Sequence, residues 1–281
     1  MSDLHAINDA INKRAGRKLL PSIVVGLSLI ALVWLTLAFE RTLFAVLVAI
    51  AVTLGIRELA RAFGNSGIHV SARALAIATG GLSAATWFGG INGLAISTAI
   101  AFPLLIIAQL RRGPEKFVAS VTASTLSLIY LPFMAGFLIL LARPSNGLAR
   151  VMTFVVLVGC NDTFGYIVGV LFGKHTLVPK ISPKKSWEGL IGSVIFTAIG
   201  GALAFNYIME TKWWYGVIAG LMINFTATTG DLIESALKRD MSLKDMGTLL
   251  PGHGGMLDRL DSVLLSAPAL WLALELVKRY L

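Results

Sequence analysis

A single cysteine, Cys160, and four histidines leave no paired Cys/His cluster and no disulfide within the chain. Structural zinc and a disulfide-stapled secreted fold are thereby set aside. Charge is scarce as well. Only 14% of residues are Asp, Glu, Lys or Arg and 56% are hydrophobic, whereas a soluble domain averages about 25% charged residues. Too few polar side chains remain to cover a water-facing surface over 281 residues, and the mean hydropathy of +0.78 points to lipid as the solvent. Most soluble-enzyme readings fall with that. Long polar stretches are also lacking: the longest runs from Asp231 to Asp261, too short for an ordinary soluble domain between apolar runs.

What is present in excess is positive charge, 24 Lys and Arg against 15 Asp and Glu, for a net charge of +9. These cations are spread through the gaps between apolar runs rather than gathered on an arm. That pattern fits a membrane protein obeying the positive-inside rule and argues against nucleic acid as a partner.

A helix needs about 20 mostly apolar residues to cross a hydrocarbon core of roughly 30 Å. Stretches that qualify are 19–39, 43–63, 72–89, 93–110, 117–142, 148–172, 188–208, 213–231 and 262–279. The first is followed by Glu40 and Arg41 rather than a small-residue cleavage site, so it reads as a span and not a cleaved signal. The sequence predicts an all-α, polytopic integral membrane helix bundle of about nine transmembrane helices. It forms one membrane-embedded domain over 1–281, with N-terminal spans in 1–150 and the chemistry-bearing spans in 151–281. Placing the N-terminus in the cytoplasm puts 18 of the 24 cations on that side, from Lys13 and Arg14 through Arg57, Arg111, Lys184 and Lys238 to Arg259. That asymmetry supports a cytoplasmic N-terminus. Recurrent glycines such as Gly165, Gly189, Gly192, Gly200 and Gly201 predict close helix contacts and carry no chemistry by themselves.

Ten of the 39 charged residues lie between Asp231 and Asp261, among them six of the 15 acids. An acidic cluster on a positive-inside face calls for a counter-ion or a ligand. Asp231, Ser235 and Lys238 stand at i, i+4 and i+7, one face of a continuing helix, and Asp258 and Asp261 share a face at i and i+3. Between them Pro251, Gly252, His253, Gly254 and Gly255 break the helix and can bring backbone N–H groups near an anion. Hard oxygen ligands without Cys or paired His point to Mg²⁺, which usually takes one or two carboxylates together with substrate phosphates. Phosphate chemistry follows. A second polar island, Ser182-Pro183-Lys184-Lys185-Ser186-Trp187-Glu188-Gly189, carries two lysines that could neutralise phosphate or merely anchor topology. Asp162, about ten residues inside the sixth run, is a functional candidate because an acid at that depth costs at least about 2.5 kcal/mol by insertion scales.

The run Ser235-Ala-Leu-Lys238-Arg239, then Lys244-Asp245, then Pro251-Gly-His253-Gly254-Gly255-Met-Leu-Asp258-Arg259-Leu-Asp261 resembles the signature of the phosphatidate cytidylyltransferases, also called CDP-diacylglycerol synthases. Ser182 to Ser186 with Glu188-Gly189, and Asn161-Asp162 with Gly165-Tyr166, also look like family features. Arg57-Glu58-Leu59 is a weaker match, and Ser186 stands where many relatives carry threonine. The resemblance implies transfer of a cytidylyl group from CTP to phosphatidic acid with Mg²⁺, at the cytoplasmic side of the cell membrane. On that reading Asp231 and Asp258 would be the first metal ligands, with Asp261 and Asp162 next. Lys184, Lys185, Lys238 and Arg239 would hold phosphates, aided by Ser182, Ser235, Lys244, Gly254, Gly255 and Arg259, and His253 would shuttle a proton. Partners would be the two substrates and the bilayer, with a homodimer left open.

Other functions compete. A CTP-using polyprenol or dolichol kinase needs similar carboxylates and lysines, and differs in its product. A CDP-alcohol phosphotransferase expects an Asp-Gly-x-x-Ala-Arg run, which this chain lacks. A secondary transporter would show paired interrupted spans in its two halves, and none is evident.

Overall fold

The computed structural model describes residues 19–247 and 254–280. They form eight helices and one small hairpin: α1 (Leu19–Phe39), α2 (Arg41–Asn65), α3 (Ala72–Leu110), α4 (Phe117–Ala142), α5 (Gly147–Phe172), β1 (Thr176–Val178), β2 (Ser182–Ser186), α6 (Trp187–Tyr207), α7 (Trp213–Asp240) and α8 (Leu257–Tyr280). Seven of these helices, α2 to α8, are long and apolar enough to cross a membrane among the described residues. The fold is a polytopic helix bundle.

The expected spans 72–89 and 93–110 share one element, the 39-residue α3. At the rise of about 1.5 Å per residue a straight helix of that length would be far longer than a bilayer is thick. It is not straight. Gly90 has φ 63° and ψ −143°, outside the helical region, and a Cβ built on Gly93 would lie 1.9 Å from the Ala85 carbonyl oxygen. Residues eight apart in a continuous helix would stand about 12 Å apart along the axis, so the chain turns sharply here. Glycine supplies the left-handed φ that the turn needs.

Helix ends follow from local chemistry. The Ser71 hydroxyl accepts the Ala74 N–H at 3.3 Å and opens α3, and the Ser186 hydroxyl accepts the Gly189 N–H at 3.1 Å and opens α6. Within α4, Pro132 sits in a widened π turn over Ile129–Phe133, as expected where an N–H is missing from the ladder. The centre of the bundle is α4, whose residues from Ala135 to Ala142 are buried, enclosed by α2, α3 and α8.

The helices that bear the polar residues pack through glycine. A Cβ on Gly201 of α6 would meet the Gly216 carbonyl oxygen of α7 at 2.1 Å, and one on Gly216 would meet the Gly201 oxygen at 2.0 Å. A Cβ on Gly192 of α6 would meet Val168 of α5 at 2.5 Å. Backbones approach this closely only where side chains are absent, the usual device for helix contact in lipid. Replacing Gly216 with valine should therefore force α6 and α7 apart at an overpacking cost of about 1–3 kcal/mol. A thermal unfolding scan in detergent should show Tm falling by several degrees, whereas the same change at Gly80, which has open space around its Cβ position, should leave it nearly unchanged.

Candidate active site

Five elements bring polar side chains to one end of the bundle: the ends of α2, α5 and α7, the start of α8, and the β1–β2 hairpin before α6. The polar island from Ser182 begins with the second strand of an antiparallel hairpin, Thr176 opposite Ser186 and Val178 opposite Ser182. Glu188, in the first turn of α6, accepts the Lys174 and His175 N–H groups at 3.1 and 3.3 Å and contacts His175 Nδ1 at 2.6 Å. This pins the start of the hairpin to the helix that follows it.

From β2, Lys185 Nζ donates to Asp231 Oδ2 of α7 at 2.6 Å. Asp231 is also within hydrogen-bonding reach of the Asp261 carboxyl on α8. Gly230 explains the contact, because a Cβ there would lie 2.3 Å from the Asp261 carbonyl oxygen. The two backbones touch at 230 and 261, so the carboxyls that follow are forced into company. Asp162 of α5 joins from the third side. Its Oδ2 accepts the Ser262 hydroxyl at 3.2 Å, and its Oδ1 accepts Asn161 Nδ2 at 2.9 Å. Behind it, Asn224 Nδ2 donates to Asn161 Oδ1 at 2.8 Å and to Ser193 Oγ at 2.7 Å. Asn224 was missed in the sequence, where a lone Asn in an apolar run shows no spacing with any partner.

One turn further along α7 lies a second group. Lys238 Nζ bridges Glu234 Oε2 at 2.5 Å and Asp258 Oδ1 at 2.9 Å. The Glu234 side chain is 1% exposed, and its Oε1 meets no donor among the described residues. Asp258 Oδ2 in turn accepts the Gly255 N–H at 2.6 Å and the Met246 N–H at 3.2 Å, closing the entry to α8. Gly254 holds φ +79°, and a Cβ there would lie 2.7 Å from Asp258 Oδ2. The Gly255 N–H is therefore committed to Asp258. Glu234 was not singled out from the sequence, although its positions relative to Asp231 (i+3) and Lys238 (i−4) place it on their face.

The remaining candidates are distributed around these groups. Arg239 Nε donates to the Ile181 carbonyl at 3.4 Å, tying α7 to the hairpin. Lys184 and Lys244 are exposed, Ser182 and Ser235 are half-buried, and Arg259 is half-buried in the first turn of α8 with contacts of its own. His253 lies outside the described residues, as does Gly252.

Could these residues hold a divalent ion? Among the described residues no three acidic, His or Cys side chains converge as a ready ligand set. Magnesium does not need three, since one or two carboxylates with substrate phosphates suffice. Asp231, bonded to Lys185, and Asp261 beside it would supply that donor pair. Asp258 has both oxygens engaged by Lys238 and two backbone amides, and Asp162 has both engaged by Asn161 and Ser262. The donor set suits a hard cation.

Comparison with known proteins places the chain in a family. A model of the cytidylyltransferase family matches residues 21–277, so the chain belongs to the cytidylyltransferase family. It is 36% identical over 279 residues to the phosphatidate cytidylyltransferase of Mycobacterium bovis, covering 94% of this chain and 90% of the relative. The phosphatidate cytidylyltransferase of Mycobacterium leprae is 35% identical over 280 residues, with 94% and 90% covered. That of Thermotoga maritima is 33% identical over 191 residues, with 64% of this chain and 67% of the relative covered.

Two predictions follow from the packing. Gly230→Ala should separate α7 from α8 at the carboxyl pair without altering either acid, and turnover measured in detergent should fall by about a hundredfold if the displacement reaches 1 Å. Lys238→Met should strand Glu234 and Asp258 at a cost of about 3–5 kcal/mol; in thermal unfolding, the double variant Lys238→Met/Glu234→Gln should recover part of that loss.

Proposed function

We propose that this chain is a phosphatidate cytidylyltransferase that transfers the cytidylyl group of CTP to phosphatidic acid, giving CDP-diacylglycerol and pyrophosphate. The observation that carries the reading is the contact between Asp231 and Asp261 beside Lys185 of the hairpin. The family match over nearly the whole chain supports it.

In the membrane we assign nine crossings: α1, α2, the two arms of α3 on either side of Gly90, and α4 to α8. We place the N-terminus and the acidic site on the cytoplasmic side of the cell membrane. The distribution of cations supports it, because Arg111, Arg112, Lys116, Lys174, Lys184 and Lys244 lie beyond helix ends in segments that this order places on the site's side, as the positive-inside rule expects.

The reaction joins two polyanions, and their mutual repulsion is its main physical obstacle. A phosphate oxygen of phosphatidate attacks the α-phosphorus of CTP. A new P–O bond forms there while the bond from the α-phosphorus to the oxygen bridging the β-phosphate breaks, and pyrophosphate leaves with that oxygen. A phosphate monoester is already ionised near neutral pH, its second pKa being about 6, so no general base is required. Lys184 and Lys244, exposed beside the site, and Lys185 and Arg239 spread the phosphate charge. Magnesium, assigned to Asp231 and Asp261, supplies charge neutralisation between the phosphates when bound. The Lys238, Glu234 and Asp258 group holds α7 and α8 in register beneath it.

Purified protein given CTP labelled on its α-phosphate and phosphatidic acid, with Mg²⁺ or with chelator, should yield a labelled lipid and pyrophosphate only when the metal is present. Asp231→Asn should lower kcat by about a hundredfold or more with the protein still folded. A lipid monophosphate as product would identify a CTP-dependent lipid kinase instead, and label remaining wholly in water-soluble nucleotide would sink the reading.

A further inference from the structure

Glu58 comes from α2, in the N-terminal half of the chain, and it is only 5% exposed. Its Oε1 accepts the Met256 N–H and its Oε2 the Leu257 N–H, each at 2.9 Å, across 198 and 199 residues of sequence. Leu257 opens α8. One carboxylate thus satisfies two of the amides that a helix N-terminus leaves without partners, and its charge faces the positive end of the helix dipole.

The same carboxyl group occupies the space beside two glycines. A Cβ on Gly247 would lie 2.4 Å from Glu58 Oε1, and one on Gly255 would lie 2.4 Å from Oε2. Neither glycine has a left-handed φ, so these positions use the missing side chain and not backbone freedom. Gly247 and Gly255 bracket the segment 248–254, and both rest on one carboxylate. Asp258 stands next to Leu257 and Asp261 one turn on, so whatever fixes the first turn of α8 also fixes those two acids.

We infer that Glu58 is a positioning residue for the cytidylyl transfer: it anchors both ends of the segment between α7 and α8 and sets the first turn of α8, so that Asp261 meets Asp231. The inference rests on the function proposed above. Glutamine keeps the shape of the side chain but replaces one acceptor oxygen with an NH₂ group, which would face a backbone N–H, donor against donor. Aspartate keeps the charge and both acceptors with one methylene less reach.

The test compares wild type, Glu58→Gln and Glu58→Asp in detergent by thermal unfolding, steady-state kinetics and amide hydrogen exchange of peptides covering Met256 and Leu257. In Glu58→Gln we expect kcat to fall about 10–100-fold, as for loss of an outer-shell orienting partner. We expect exchange at Met256 and Leu257 to quicken about tenfold or more while α5 and α6 stay protected. Glu58→Asp should lie between the two on both readouts. Wild-type turnover with unchanged exchange in Glu58→Gln overturns the inference. So does a rate loss that merely tracks the unfolded fraction, and should Glu58→Gln fail to fold, equality of Glu58→Asp with wild type on both readouts overturns it too. If wild type makes no nucleotide-bearing lipid, the proposed function fails, while the exchange measurement still decides whether Glu58 holds α8.

Discussion

Two carboxyl groups pressed together at the edge of a hydrocarbon layer repel each other. At an effective dielectric of about 20 and a separation of about 4 Å the repulsion between unit charges is on the order of 4 kcal/mol. Asp231 and Asp261 face that repulsion whenever both are ionised, with Lys185 bonded to Asp231. Something must hold the two acids together against that repulsion, and it is packing. Gly230 lets the α7 backbone meet the α8 backbone at residue 261. The result is a standing demand for positive charge, which under the proposed function a cation and the phosphates of the two substrates would meet. A site of this kind is stable only as part of a rigid frame, which is why so many neighbouring polar groups serve structure first.

That frame divides into layers along α7. Nearest the bundle interior, Asn224, Asn161 and Ser193 orient Asp162 through hydrogen bonds of 2.7 to 2.9 Å. One turn beyond the carboxyl pair, Lys238 compensates Glu234 and Asp258. A buried ion group like this adds little net stability, since desolvation offsets attraction, but it tolerates no missing member. Its value lies in register. Lys238 can meet both acids only when α7 and α8 are correctly placed along each other, and that same placement brings residue 231 opposite residue 261.

Much of this was legible in the sequence, and the limits have physical causes. The spans were readable because lipid demands a length and composition that few other structures share. The gap between the expected spans at 89 and 93 falls on the Gly90 break. The acids on α7 and α8 were readable from their helical spacing, since α7 does continue through the polar stretch to Asp240. The hairpin was not readable: Ser182 to Ser186 holds a proline and two lysines, with no apolar alternation to mark a strand. Glu234 was hidden by its company. A glutamate in a charged run looks solvated, and its 1% exposure depends on what α8 brings against it. Glu58 stood in the weaker Arg57-Glu58-Leu59 match, but its role was hidden, since its partners are backbone amides nearly two hundred residues away, and backbone groups leave no trace in composition.

The hairpin also explains how neighbouring lysines come to hold different stations. Successive side chains of a strand point to opposite faces. On β2 Lys185 turns inward to Asp231 while Lys184 stays exposed, across a register irregularity between the Thr176–Ser186 and Val178–Ser182 pairs. A loop carrying the same residues would let both lysines collapse on the nearest acid. The strand prevents it, because pairing with β1, the Ser186 cap and the grip of Glu188 on residues 174 and 175 fix its orientation. Lys185 therefore answers part of the acidic demand, and Lys184 stays exposed with no partner among the described residues. Under the proposed function an incoming triphosphate would meet a site that is neither fully neutralised nor bare, so that a charged ligand could compete for Asp231 without first breaking up the fold.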